Sequence, residues 1–276
     1  MSPLAELAKK MFSHSGAENL RILDTEKRIR GILAGKVVFD STKAKLVWEH
    51  KYFPQYWIPR SSFSEFATFP DDEAVSGIDS SSATISVSNR SIPALIVPSS
   101  FKSELAGYVK IEFKALDQWL EEQSHIIYHP KDPFHRVDVL SSGRHVKIEI
   151  DGVRIADTGS DGGVMSLWET NLPPRWYLPR TAVNWEYLQE SQTHTGCPYK
   201  GEASYYHAMI NGKKYEDVVW WYKFPLLEST LIQGMLCFYP DKVDMWVDGE
   251  KKRKEADIAA RAKKEIEGSS QAKDAQ

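Results

Sequence analysis

Trp168-Glu169-Thr-Asn-Leu-Pro-Pro174-Arg-Trp-Tyr-Leu-Pro-Arg180 decides how this chain is read, because it occurs twice. The earlier form is Trp48-Glu49-His-Lys-Tyr-Phe-Pro54-Gln-Tyr-Trp-Ile-Pro-Arg60, with the Trp-Glu pair, the proline, the aromatic pair and the Pro-Arg pair at identical spacing. Upstream, Gly35-Lys-Val-Val-Phe-Asp40 returns as Gly152-Val-Arg-Ile-Ala-Asp157, with three more residues between the two blocks in the later copy. A third echo links Tyr128-His-Pro and Arg136-Val-Asp-Val139 to Tyr239-Pro240 and Lys242-Val-Asp-Met245. Ordered recurrence of tryptophan, proline and aromatic pairs predicts a tandem duplication. The expected layout is an N-terminal helix and linker at 1–27, a degenerate first repeat at 28–143, a site-bearing second repeat at 144–250, and a charged tail at 251–276.

Around these blocks the pattern is that of strands, which predicts a mainly β protein. His145 to Ile150 alternates apolar and charged residues, Asp151-Gly152 suits a tight hairpin, and Val153 to Ala156 begins the return strand. Asn211-Gly212 marks a second hairpin, and Val218 to Tyr222 and Met235 to Tyr239 are apolar runs of strand length. Helical signals are confined to the ends. Ser2-Pro3 is a fitting N-cap and first position for a short helix carrying Leu4, Leu7, Ala8 and Met11 on one face. Lys251-Lys-Arg-Lys254 opens a tail poor in large apolar residues, which predicts a solvated segment.

Composition narrows the function classes. The 276 residues carry a net charge of −3 and a pI near 6.3, without the basic stripe of a nucleic-acid binder. No apolar run approaches the length of a membrane-spanning helix. Glu6, Lys9 and Lys10 interrupt the start, so no signal peptide is expected. Cys197 and Cys237, the two cysteines, allow at most one disulfide and no four-thiolate zinc site; a reducing cytoplasmic location is the expectation. Nine Trp, twelve Tyr and eleven Phe are enough rings to line a pocket as well as fill sheets.

The repeats diverge where chemistry is concentrated. The second carries His194-Thr-Gly-Cys-Pro-Tyr-Lys-Gly-Glu-Ala-Ser-Tyr-Tyr206 and Trp220-Trp-Tyr222, against the serine-rich stretches 80–88 and 91–100 of the first. Glu169 beside the Trp168 indole is expected to be desolvated and so tuned for proton transfer. Arg180 could instead pair with it, and their recurrence as Glu49 and Arg60 also suits a scaffold role. Gly196 and Gly201 bracket Cys197-Pro-Tyr-Lys200, a turned backbone able to approach a ligand. His194 supplies an imidazole that titrates near neutrality. The catalytic candidates are therefore Glu169, His194, Lys200 and Arg180; the binding candidates are Trp168, Tyr177, Cys197, Tyr199, Tyr205, Trp220 and Tyr222. His194-x-x-Cys197 has metal-ligand spacing but no second pair to complete it, and neither a phosphate loop nor a dinucleotide fingerprint occurs. No metal and no organic cofactor is expected.

The motifs Trp-Glu-x4-Pro-x-x-Tyr-x-Pro-Arg, Thr-x-Cys-Pro-Tyr-Lys-Gly-x-Ala-x-Tyr, Trp-x-Tyr and Phe-Tyr-Pro-x-x-Val-Asp resemble a known family, domain of unknown function 427, also labelled nucleotidyltransferase-like. The resemblance runs from Val146 to Gly249, and Trp119 with His129-Pro-Lys-Asp-Pro133 resembles the degenerate first copy of its two-domain members. It implies compact antiparallel β domains, barrel- or tent-like. The leading expectation is an enzyme of specialised metabolism that isomerises, cyclises or adds to a planar, partly anionic small molecule by proton transfer, with no nucleic-acid or membrane partner; assembly of the chain with itself is left open. Two alternatives are a non-catalytic module binding a small molecule or partner, and the nucleotidyltransferase of the label. The latter needs acidic residues for Mg²⁺, for which Glu169 and Glu202 are the carboxylates at hand.

Overall fold

The computed structural model describes residues 6–7, 20–50, 52–69, 83–87 and 89–254. The chain divides into two compact units, residues Met1–Pro133 and Phe134–Gln276. Eleven strands of unit 1 are β1 (Arg21–Asp24), β2 (Ile29–Leu33), β3 (Lys36–Ser41), β4 (Lys45–Trp48), β5 (Gln55–Pro59), β6 (Ala67–Thr68), β7 (Ala83–Val87), β8 (Arg90–Ile96), β9 (Tyr108–Ile111), β10 (Gln118–Glu121) and β11 (Ser124–Ile126). Eleven of unit 2 are β12 (Val137–Ser142), β13 (Val146–Ile150), β14 (Val153–Asp157), β15 (Val164–Glu169), β16 (Arg175–Leu178), β17 (Leu188–Cys197), β18 (Gly201–Ile210), β19 (Lys213–Tyr222), β20 (Leu236–Phe238), β21 (Asp244–Val247) and β22 (Glu250–Lys251).

Both units have one antiparallel topology. The larger sheet runs β1-β4-β5-β9-β8-β7-β6 in unit 1 and β12-β15-β16-β20-β19-β18-β17 in unit 2. The smaller runs β11-β10-β2-β3 and, in matching order, β22-β21-β13-β14. The protein is thus mainly β and built as a duplication. Among the described residues every sheet is open, so neither unit is a closed barrel.

Period-two alternation explains the layering. In unit 2, Trp176 and Leu178 of β16 join Ile148, Tyr206, Val219 and Phe238 in the core shared with the smaller sheet. Tyr177, between them, points the other way into a second apolar layer with Leu167, Tyr205, Trp220, Tyr222 and Cys237. Unit 1 repeats the arrangement, with Ile29, Phe39 and Trp119 in one layer and Val47, Trp57 and Leu95 in the other. The hairpins at Asp151-Gly152 and Asn211-Gly212 form as the sequence predicts. Both residues of each turn have positive φ, the backbone that matches strand twist.

Two sequence expectations meet a different arrangement. Val137 to Ser142, read as closing the first repeat, pairs with β15 as a strand of unit 2. The strand of unit 1 equivalent to β21 is β10: Glu122 and Asp248, just beyond them, both have positive φ and donate a backbone hydrogen bond to the start of the smaller sheet. The division therefore falls after Pro133 rather than Gly143. Of the expected N-terminal helix, Glu6 and Leu7 are helical, and its other residues lie outside the described ones, as does the tail beyond Lys254.

Candidate functional site

Glu169 ends β15 opposite Val137 of β12. The hairpin between β17 and β18 closes on the pair Cys197 and Gly201, so Pro198, Tyr199 and Lys200 form the turn. Gly201 has φ +103°, and a Cβ there would lie 3.1 Å from the Phe224 carbonyl oxygen; only glycine fits this approach. Leu226 N donates to Lys200 O at 3.0 Å and fixes the turn from the other side. The lysine is thereby directed at the carboxylate, and its Nζ donates to Glu169 Oε2 at 2.5 Å. Glu169 Oε1 takes a second bond from His135 Nε2 at 3.0 Å, and the His135 ring lies 4.4 Å from that of Tyr199.

Side chains of this triad are 8% (Glu169), 11% (Lys200) and 17% (His135) exposed. Burial alone would push the Glu169 carboxyl up, but the Lys200 charge and the two donated hydrogen bonds outweigh it and hold the group below the usual carboxylate range. Glu169 is thus an anion at neutral pH and only accepts hydrogen bonds. His135 Nε2 must then carry a proton and donate it to Glu169, so that any acceptor role of the ring falls to Nδ1.

Unit 1 shows what the same glutamate does without this arrangement. Glu49 Oε1 accepts from Trp57 Nε1 at 2.7 Å and lies 3.4 Å from Lys110 Nζ, which also donates to Gln55 at 3.1 Å. Lys110 is 1% exposed and stands opposite Trp57 on β9. The equivalent pair in unit 2 is Tyr177 and Cys237. Burial pushes the Glu49 carboxyl up, and Lys110 and Trp57 offset this only in part. One glutamate takes its cation from a strand of its own sheet; the other takes its cation from the β17–β18 turn and an imidazole from the entry to β12.

The remaining predicted residues separate. Trp168 and Glu169 are consecutive on β15 and so face opposite sides of the sheet; the indole therefore does not desolvate the carboxylate. Its Nε1 donates to Ser166 Oγ at 3.1 Å instead. Arg180 does not pair with Glu169. Its guanidinium lies 4.2 Å from the Trp185 ring and 5.5 Å from that of Trp221, much as Arg60 lies over Phe69 in unit 1. Tyr177, Tyr205, Trp220 and Tyr222 are buried together in one packed layer, with Trp220 Nε1 donating to Tyr177 OH at 3.0 Å, and Tyr205 also borders the cavity beside His194. Burial raises the phenols of Tyr177 and Tyr222, which stay neutral. Cys197 and Tyr199 are half-buried beside Lys200.

His194 lies across the sheet from Glu169. Ser204 Oγ and Glu202 Oε1 are 3.3 and 3.7 Å from its Nδ1. This group lines a cavity of about 470 Å³ together with Glu190, Tyr206 and Trp221. Sequence reasoning missed His135. It stands 34 residues before Glu169 in a stretch read as part of the other repeat, and no local spacing ties an imidazole to so distant a carboxylate.

The residues present do not fit the divalent cation of nucleotidyl transfer. Glu169 is engaged by two donors and Glu202 lies on the other face, and among the described residues no three His, Cys, Asp or Glu converge as metal ligands. A comparison with curated proteins finds no match to this chain. The family model described as Domain of unknown function (DUF427) matches residues 21–74 and 138–249, over half of the sequence and parts of both units. On that evidence the chain belongs to the DUF427 family.

Proposed function

We propose that unit 2 is a small-molecule enzyme performing acid–base chemistry, with His135 as general base, Glu169 as the carboxylate that positions it, and Lys200 as the cation that receives developing negative charge. The observation that carries this is the bridging of one buried carboxylate by an imidazole and an ammonium. A carboxylate that fixes the tautomer of a histidine leaves the opposite ring nitrogen available for a substrate proton. Removal of a proton from carbon beside a carbonyl places negative charge on oxygen, which a lysine can stabilise. Isomerisation, cyclisation and addition all start from that step. The substrate class is a planar or partly anionic carbonyl compound of specialised metabolism, in a chain that works in the cytoplasm with its two cysteines reduced.

The test is deuterium uptake from D₂O into the activated C–H of a panel of 1,3-dicarbonyl compounds, followed by NMR. Wild-type protein is expected to accelerate exchange for at least one member. His135→Asn and Glu169→Gln are expected to lower that rate by about 10²-fold or more, the usual contribution of a positioned acid or base. Exchange untouched by His135→Asn, or no acceleration anywhere in the panel, defeats the reading.

A second reading, a non-catalytic binding module, rests on the cavity of about 470 Å³ beside His194. Its size and its mix of aromatic and polar lining suit a small ligand.

A further inference from the structure

The duplication offers an internal comparison for a surface that the Glu169 site leaves unused. In unit 1 the Trp48 indole is 8% exposed. Arg21 and the chain that follows β11 cover it: the Arg21 guanidinium lies 4.4 Å from the Trp48 ring, Trp48 Nε1 donates to Asp132 Oδ2 at 3.1 Å, and His129 stacks on Phe53 with centroids 3.9 Å apart. The covering segment is His129-Pro-Lys-Asp-Pro133, a carboxylate set between two prolines.

Trp168, at the same position of unit 2, is 44% exposed. It floors a cavity of about 240 Å³ with Trp176 and Pro240, rimmed by Arg144, Lys252 and Arg253. Register across the two smaller sheets makes Lys252 and Arg253 the counterparts of Ile126 and Ile127. Two apolar residues of unit 1 are thus replaced by two cations at the rim of the open indole in unit 2. Arg144 pairs with Asp248 at 2.6 Å and Lys252 with Glu250 at 3.4 Å. Three cations against those two carboxylates leave the rim net positive. The Trp168 N–H is held by a serine hydroxyl, a weaker acceptor than the carboxylate on Trp48.

We propose that this shelf docks a peptide segment of a partner protein in which an acidic residue is flanked by proline, like the segment whose Asp132 takes the indole N–H of its counterpart in unit 1. The acidic side chain would take the Trp168 N–H and the rim cations, and the prolines would lie on the indole faces. Proline limits the freedom of the unbound segment, so less is lost on binding. The shelf lies on the face of β15 opposite Glu169, and the proposal stands whether or not that site catalyses.

A fluorescein-labelled octapeptide with the sequence of residues 127–134, Ile-Tyr-His-Pro-Lys-Asp-Pro-Phe, tests it by anisotropy titration against the full chain. Saturable binding is expected. Asn for Asp in the peptide, Trp168→Ala or Arg253→Glu in the protein is each expected to weaken it at least tenfold, and added salt to weaken it further. Both protein positions are on the surface, and unchanged circular dichroism would confirm that the variants fold. No saturation, or saturation indifferent to both protein variants, overturns the proposal. Binding seen only after the chain is cut beyond Lys254 also overturns it, since the protein's own tail would then hold the shelf.

Discussion

Glu49 and Glu169 share one place in the repeat yet titrate in opposite directions. Burial dominates at Glu49 and raises its carboxyl above the ordinary 4.5. At Glu169 burial is outweighed by Lys200 and His135, which lower it. The consequences for stability have opposite sign. A depressed carboxyl stabilises the fold above about pH 4.5 and loses that contribution as pH falls through the folded-state value. A raised carboxyl favours the fold at low pH and loses that advantage as pH rises through the folded value. Lys110→Met removes the main counter-charge of Glu49 and drives its carboxyl higher still. Breaking such a buried pair costs about 3–5 kcal/mol at neutral pH. We expect the deficit of Lys110→Met against wild type, read by urea unfolding, to shrink as pH is lowered toward 4.5. A deficit that is constant or grows on acidification would show that Glu49 is not the group left stranded.

At the scale of elements, the two smaller sheets exchange bulk across one strand pair. Gly31 of β2 faces Phe39 of β3, whereas Ile148 of β13 faces Ala156 of β14, and a bulge follows at the same step in both. A Cβ on Gly31 would lie 2.4 Å from the Phe39 ring and 2.6 Å from Leu116. Gly31→Ala is therefore expected to lower stability by about 1–3 kcal/mol through overpacking. Combining it with Phe39→Leu is expected to restore part of the loss, and thermal unfolding of the single and double variants checks both. Pairs of this kind explain how far the strands could be read. His145 to Ile150 alternates cleanly and its turn carries Asp-Gly, so that hairpin was legible. β17 was not: a register shift between Glu190 and His194 breaks its period, and another interrupts β18 after Tyr206. β12 was misassigned because the motif Arg136-Val-Asp-Val139 happens to echo the approach to β21, and short motifs do not show which sheet a strand will join.

Over the whole molecule, the duplication was legible because scaffold residues repeat at fixed spacing, and the candidate site was legible only in part. Glu169 and Lys200 were each singled out, but their contact was not, because it depends on how the Cys197 to Gly201 turn sits against the end of β15. Arg180 and His194 lie elsewhere, because neighbours in sequence diverge to opposite faces of a sheet. Tyr177, Tyr205, Trp220 and Tyr222, expected as binding residues, form a second apolar layer, a role that composition cannot separate from ligand binding. Where the second unit begins then decides what a minimal fragment needs. Among the described residues both of its sheets take their strands only from β12 to β22. A fragment starting at Phe134 keeps that set and His135. One starting at Arg144 loses β12, and with it the strand that pairs with β15 from Glu169 to Val164. It also loses Val137 and Val139 from the second apolar layer and the imidazole on Glu169. We expect the fragment 134–276 to unfold cooperatively with dispersed amide resonances, and 144–276 to aggregate or bind a hydrophobic dye through its uncovered edge. If 144–276 proves as cooperative and as dispersed as 134–276, then β12 is an accessory strand, and His135 lies outside the structural minimum of unit 2.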